Sequence, residues 1–375
     1  MPKNPRLLYF VSEDWYFLSH RLPLAREAMA SGFEVFLVTR VDQHAERILS
    51  EGIRLIPFDV RRHGTNPLID FLTVIRLLRI IAQVSPDIVH NVAMKPSLYG
   101  SLVANLLKVP AVINAFGGMG YLFVSDQLKS KMLRPLVMAA FRLILDRPNT
   151  RVIFQNLDDR DLFIKHSIIK PAGSVIIRGS GVDIDRFVPT AELEGTPVVL
   201  LASRLLWDKG IREFAEAARF LKESGVKARF VLVGDPDPGN PASVPGEFIA
   251  RCQDQGVLEW WGQQEDMVSV FRQCHVVCLP SYREGLPKVL LEAASSARPI
   301  VATDTPGCRD IVRHSENGFL APVRNSQEIA NYLKILIESP SLRHKMGTRG
   351  RDMVVKQFSE AKVVADTMNL YQQCL

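Results

Sequence analysis

Two glutamates eight residues apart carry the clearest chemistry in the sequence, in the stretch Pro280-Ser-Tyr-Arg-Glu284-Gly-Leu-Pro-Lys-Val-Leu-Leu-Glu292. The apolar run before it, 276–279, reads as a buried strand. Gly285 and Pro287 then punctuate a turn, Leu286 lies between them, and a helical pattern starts at Lys288. A strand that ends in such a turn and a fresh helix start presents backbone N–H groups and a positive dipole end to an anion. Proline suits that place, because its φ is already helical and the first turn has N–H groups to spare. Glu284 and Glu292 frame the anion site with carboxylates that accept from hydroxyls. A ligand with both phosphate and hydroxyl groups, such as a sugar nucleotide, matches this chemistry.

Cations come from a second stretch, Ser203-Arg204-Leu-Leu-Trp-Asp-Lys209-Gly210, which follows the apolar run 198–202. Arg204 could hold a diphosphate with a bidentate fork and Lys209 as a point charge. Val233-Gly234-Asp235 and Trp260-Trp261-Gly262 end two more strand-like runs. An Arg and a Lys five apart are by themselves ordinary surface residues. Their expected place on one sheet edge with the acidic turn is what favours a functional reading.

In the first half, Ser12-Glu-Asp-Trp-Tyr-Phe-Leu-Ser-His20-Arg21 reads as a loop after the strand 7–11. It lacks the glycine spacing of a dinucleotide site. His20 and its aromatic neighbours either line a saccharide pocket or pack under the loop, with His20 capping a helix. Asn114-Ala-Phe-Gly117-Gly118-Met-Gly120-Tyr121 follows the strand 111–115. Gly117 and Gly118 either let the backbone approach a ligand closely or make a plain flexible turn.

The elements that must position these residues alternate. Strand-like runs at 7–11, 33–38, 53–58, 88–90, 111–115 and 152–154 are separated by helical patterns such as 21–30, 68–84 and 97–107. That alternation predicts an open parallel α/β sheet, which binds ligands outside its strand C-termini. Periodicity loosens between 174 and 197, which reads as a linker or hinge. It restarts with strands at 198–202, 229–233, 257–260, 276–279 and 299–302, and three helices close the chain at 325–338, 341–356 and 360–375.

The totals agree with two doubly wound domains. The chain has 375 residues, 47% apolar and 23% charged, more than one core ordinarily holds. Its five cysteines are odd in number and make no CxxC pair, so they read as reduced, buried, small apolar residues of a cytoplasmic protein. Met1-Pro-Lys-Asn-Pro-Arg6 leads directly into the first strand, so no secretory leader is expected, and no run of 18 apolar residues exists to span a bilayer. Residues 1–180 carry 23 Lys/Arg against 15 Asp/Glu, whereas residues 181–375 carry 23 against 25. This basic surplus invites an anionic partner in the first half, or is an ordinary solvated face. In the helical pattern 128–145, Lys131, Arg134 and Arg142 fall within about 80° of each other, beside Leu133, Val137 and Phe141. Such a stripe could rest on anionic lipid headgroups, as could Arg76 and Arg79 on 68–84; core packing with snorkelled arginines is the alternative.

Taken together, the glutamate pair and Arg204/Lys209 resemble the retaining glycosyltransferases of family 4, as do Ser180-Gly-Val-Asp183 and Pro306-Gly307. The stretch Asp14-Trp-Tyr-Phe-Leu-Ser-His-Arg-Leu-Pro is similar to members that build bacterial surface polysaccharides or lipid-linked oligosaccharides. The resemblance implies a GT-B fold: two Rossmann-like domains facing a cleft, with the last helix crossing back to the first. Residues 1–180 with 359–375 would bind the acceptor and residues 181–358 the nucleotide-sugar donor. It further implies that Arg204 and Lys209 hold the donor diphosphate, Gly285, Leu286 and Pro287 present the helix start, and Glu284 contacts sugar hydroxyls. Glu292 would contact the ribose, with Gly234 also at the donor. His20, Gly117 and Gly118 would face the acceptor. The implied donor is a nucleoside-diphosphate sugar, UDP-linked, with no metal or other cofactor. The implied acceptor is a polyprenyl-diphosphate-linked saccharide at the inner face of the cell membrane, with no nucleic-acid partner. The histidine that many members carry after the fifth strand is missing from Ala115-Phe-Gly-Gly-Met-Gly120. Two other readings compete: a sugar-nucleotide epimerase of the same shape, and a non-catalytic nucleotide-sugar-binding subunit.

Overall fold

A computed structural model of the chain describes residues 4–59, 67–118, 128–237 and 239–375, and their side chains except those of 67 and 128–133. The chain divides into two compact units, 1–180 with 362–375, and 181–361. In unit 1 the order is β1 (Arg6–Glu13), α1 (Asp14–His20), α2 (Leu22–Ala30), β2 (Glu34–Arg40), α3 (Ala45–Ser50), β3 (Arg54–Pro57), α4 (Pro67–Val84) and β4 (Ile88–Val92). It continues through α5 (Met94–Leu106), β5 (Ala111–Ala115), α6 (Leu128–Leu145), β6 (Thr150–Phe154), α7 (Leu157–Lys165) and β7 (Ser174–Ile176). The seven strands pair in parallel in the order β3-β2-β1-β4-β5-β6-β7. β4 and β5 are buried along their whole length, as central parallel strands covered on both faces must be.

Unit 2 repeats the plan with β8 (Val198–Ala202), α8 (Ile211–Glu223), β9 (Arg229–Val233), α9 (Gly246–Asp254), β10 (Glu259–Trp260), α10 (Met267–Gln273) and β11 (Val276–Leu279). Next come α11 (Lys288–Ser295), β12 (Ile300–Thr303), α12 (Cys308–Ile311), β13 (Gly318–Ala321), α13 (Ser326–Glu338) and α14 (Pro340–Gln357). Its sheet is parallel in the order β10-β9-β8-β11-β12-β13, so the winding direction reverses between β8 and β11. The last helix, α15 (Glu360–Cys374), returns to unit 1. Val363, Met368, Leu370 and Tyr371 join the apolar cluster that contains Leu7 and Val11 of β1. The buried Tyr371 hydroxyl shares hydrogen bonds with His90 Nδ1 at 2.5 Å and with the Tyr9 hydroxyl at 3.0 Å.

Two sequence expectations need correction. The segment after β1 is the helix α1 and not a loop: Phe17 and Leu18 face the core, and buried Asp14 accepts from the backbone N–H groups of Trp15, Asp42 and His44. The 174–197 linker begins with an edge strand, β7. Of the described apolar residues beside the basic stripe on α6, Phe141 is buried and Val137 half-buried, whereas Leu136 and Leu143, at other positions of the helix, are exposed. The side chains of Lys131 and Leu133, and residues Met119, Gly120 and Tyr121 of the glycine loop, lie outside the described residues. Among the described residues no helix is long and apolar enough to cross a membrane.

Candidate active site

The reversal between β8 and β11 is where an open α/β sheet leaves a crevice at its strand C-termini. The loops after β10, β9, β8 and β11 sit side by side there, each carrying one of the segments singled out in the sequence. Gly210 ends a short 3-10 turn, Trp207–Lys209, with φ 76°; a Cβ on it would lie 2.2 Å from the Pro280 carbonyl oxygen. This close approach, with Tyr282 N–H donating to the Asp208 carbonyl at 2.8 Å, fastens the β8 loop to the β11 loop. Lys209 Nζ consequently meets Glu284 Oε1 at 2.6 Å, with only 16% and 12% of the two side chains exposed.

Arg204 lies on the same loop but turns elsewhere. Its Nη1 donates to Asp237 Oδ2 at 3.0 Å, and 45% of its side chain is exposed. Gly234 explains how the β8 and β9 loops pack: at φ 120°, a Cβ there would fall 1.9 Å from the Ser203 carbonyl oxygen. Gly234 N–H donates to the Gly262 carbonyl, and its own carbonyl accepts from Trp260 Nε1 at 2.8 Å.

Beyond the turn, α11 has no side-chain cap, and Pro287 is its extended N-cap rather than a residue of the first turn. The helix start therefore keeps the anion-attracting character of an uncapped N-terminus. Gly285, Leu286 and Pro287 are buried beneath it. Glu292 follows in the second turn, 12% exposed and 4.0 Å from Lys288 Nζ. Burial pushes its carboxyl up to about 7, against the opposing pull of the Lys288 and Arg186 charges.

Several supports went unread in the sequence. Tyr282 donates its hydroxyl to Glu213 Oε1 at 2.7 Å from under the Arg324 guanidinium, and burial with this carboxylate raises it to about 12. Thr303 donates to the Ser281 carbonyl. Gly307, at φ 79°, lets the β12 loop touch the turn, since a Cβ would sit 2.5 Å from the Gly285 carbonyl oxygen. No local sequence signal marks the first two contacts, which join residues 69 and 22 positions apart. Buried Cys308 is raised to about 12 chiefly by desolvation, which leaves it an inert thiol.

In unit 1, His20 ends α1 and stacks on Tyr16, ring centroids 4.1 Å apart, with Ser19 Oγ 2.6 Å from its Nδ1. Gly117 joins this group, because a Cβ there would reach 3.0 Å from the Tyr16 hydroxyl. Gly118 follows at φ 140°. The three residues proposed from sequence thus lie in one neighbourhood of unit 1.

Known proteins share both halves. The family model for glycosyl transferases group 1 matches residues 184–353, and that for glycosyl transferase 4-like proteins matches 6–156. The chain is 25% identical over 380 residues to N,N'-diacetylbacillosaminyl-diphospho-undecaprenol alpha-1,3-N-acetylgalactosaminyltransferase of Campylobacter jejuni, covering 96% of this chain and 98% of that one. It is 24% identical over 352 residues to UDP-Gal:alpha-D-GlcNAc-diphosphoundecaprenol alpha-1,3-galactosyltransferase of Escherichia coli, covering 90% and 89%. The crystal structure of Anabaena HepE with UDP superposes with a TM-score of 0.79 at 18% identity, covering 98% of this chain and all of that one. Two parallel Rossmann-like units and two family matches that together run from residue 6 to 353 agree. The chain belongs to the group 1 glycosyltransferases, with the GT-B fold.

Proposed function

We propose that the protein transfers a hexose or N-acetylhexosamine from a UDP-sugar to a polyprenyl-diphosphate-linked saccharide, with retention of anomeric configuration. The Lys209–Glu284 pair, held at the reversal between β8 and β11, is the observation that carries the proposal. Lys209, the start of α11 and Arg204 once it exchanges Asp237 for phosphate would meet the donor diphosphate. Charge developing on the departing UDP is the main demand of such a transfer, and preorganised cations and amides meet it. Glu284 would hold sugar hydroxyls and Glu292 the ribose. The sugar C1–O bond to the phosphate breaks while the acceptor oxygen bonds C1 from the same face, and the acceptor proton passes to the leaving phosphate. These protein cations do the work that a metal would otherwise do, so the proposed reaction uses none. His20, Gly117 and Gly118 would receive the acceptor in unit 1, and the basic surplus of that half would favour the anionic inner membrane face.

The names of the two relatives supply the support for donor and acceptor: both act on diphospho-undecaprenol-linked sugars, and one uses UDP-galactose. The test is transfer from a panel of UDP-α-sugars to an undecaprenyl-diphosphate saccharide in the presence of EDTA, with the new linkage read by NMR. An α-linked product formed at an undiminished rate is expected. A β-linked product, loss of activity with EDTA, or an epimerised donor without acceptor would contradict the proposal.

A further inference from the structure

Seven of the seventeen exposed large apolar side chains among the described residues lie on three neighbouring helices of unit 1: Leu68, Phe71 and Leu72 on α4, Leu102 and Leu106 on α5, and Leu136 and Leu143 on α6. α5 packs between α4 and α6, and over it runs an open groove of about 1180 Å³. Phe71, Leu98, Leu102, Leu106, Leu143 and Ile144 give it an apolar lining. An exposed apolar tract of this extent on three adjacent helices marks a binding surface.

The polar groups in the groove narrow down its occupant. Tyr99 engages Asp70, Asn105 Nδ2 donates to the Ile144 carbonyl at 3.0 Å, and Asn149 Nδ2 donates to the Val109 carbonyl at 2.9 Å. Each of these groups already has a protein partner and most of the lining is apolar, so a sugar or extended peptide would shed more water from its polar groups than the groove can replace. A hydrocarbon chain has none to satisfy. Direction fits as well. α5 starts where β4 ends, at the ligand-binding edge of the sheet, and runs to the opposite edge, where Lys108 and Arg147 line the groove's end. An amphiphile with its head at the first edge would lay its tail over α5 and leave between these two cations, whose charge suits an anionic lipid surface.

From this we infer that the α4–α5–α6 groove is the subsite for the isoprenoid tail of the lipid acceptor. It rests on the lipid-acceptor reading above, yet binding can be measured without transfer. Calorimetry would titrate the full chain with inorganic diphosphate, citronellyl diphosphate and farnesyl diphosphate, all soluble without a bilayer. Affinity should rise roughly tenfold or more with the added isoprene unit. Leu106→Glu with Leu143→Glu should abolish that rise and leave UDP affinity unchanged. No gain with chain length, or a gain that survives both substitutions, overturns the subsite. Light scattering supplies a second readout: a wild-type dimer that the substitutions split would assign the face to a second copy instead. Transfer from the UDP-sugar panel to a farnesyl-diphosphate-linked saccharide, which keeps the tail the groove would hold, separates the two claims. If it fails while farnesyl binding holds, the error lies in the proposed reaction and not in the groove.

Discussion

Glu292 is the residue whose chemistry the fold alters most visibly. Its carboxyl lies near 7 because burial penalises the anion more than the nearby Lys288 and Arg186 charges favour it. The folded value is raised, so the unfolded chain binds fewer protons than the folded one between the ordinary carboxylate range and 7. Stability from this group is therefore full below about 4.5 and is lost as pH rises through about 7, a loss of a few kcal/mol at most. Denaturant melts of wild type and Glu292→Gln should converge at low pH, with the variant relatively more stable at pH 8. Ribose hydroxyls donate to the carboxylate and favour the charged form, so the affinity for uridine, which has no phosphate to titrate in this range, should increase through pH 7 in wild type and stay flat in the variant. A flat wild-type profile would remove Glu292 from the ribose.

At the scale of elements, the site depends on loops touching without side chains between them. Gly210 combines a left-handed φ with backbone contact to Pro280, whereas Gly195, at φ 115°, has nothing within 4 Å of where a Cβ would be. Gly195→Ala should thus cost only backbone strain, about 1 kcal/mol, and Gly210→Ala about 2–4 kcal/mol with loss of transfer. Equal costs in equilibrium unfolding would show that loop packing at Gly210 is unimportant. Much of this level was legible beforehand. The strands at 198–202, 229–233 and 276–279 were readable to the residue, because, Arg229 apart, they are continuous apolar runs with turn residues after them. The edge strands Ser174–Ile176 and Gly318–Ala321 are too short to show a period. α1 was hidden by aromatic residues that suit strand and loop as well as helix, and its start depends on Asp14 bonding to residues 42 and 44. On α6, charge spacing alone does not tell which flanking apolar residues face the core: Phe141 is buried and Leu143 is not.

For the whole molecule, two units with parallel sheets followed from the alternation of strands and helices, and the return of α15 to unit 1 followed only from the family resemblance. Its reason is physical once seen: Tyr371 completes a buried hydrogen-bonded group with Tyr9 and His90, 362 and 281 residues away. The two chain connections at 182 and 358–360 run hydrogen-bonded together, which Gly181 permits. Which residues gather at the β8–β11 reversal was legible in unit 2, where charge, glycine and spacing coincide. Less was legible in unit 1, where the groove over α5 has no motif at all. The central claim is that the β8–β11 reversal grips the donor diphosphate through Lys209. Calorimetric titration of UDP into wild type and Lys209→Ala tests it most directly, with melting curves to verify the fold. Removing the cation also exposes the diphosphate to an unpaired Glu284, so affinity should fall roughly 100-fold. UDP affinity within about twofold of wild type, in a folded variant, would contradict the account.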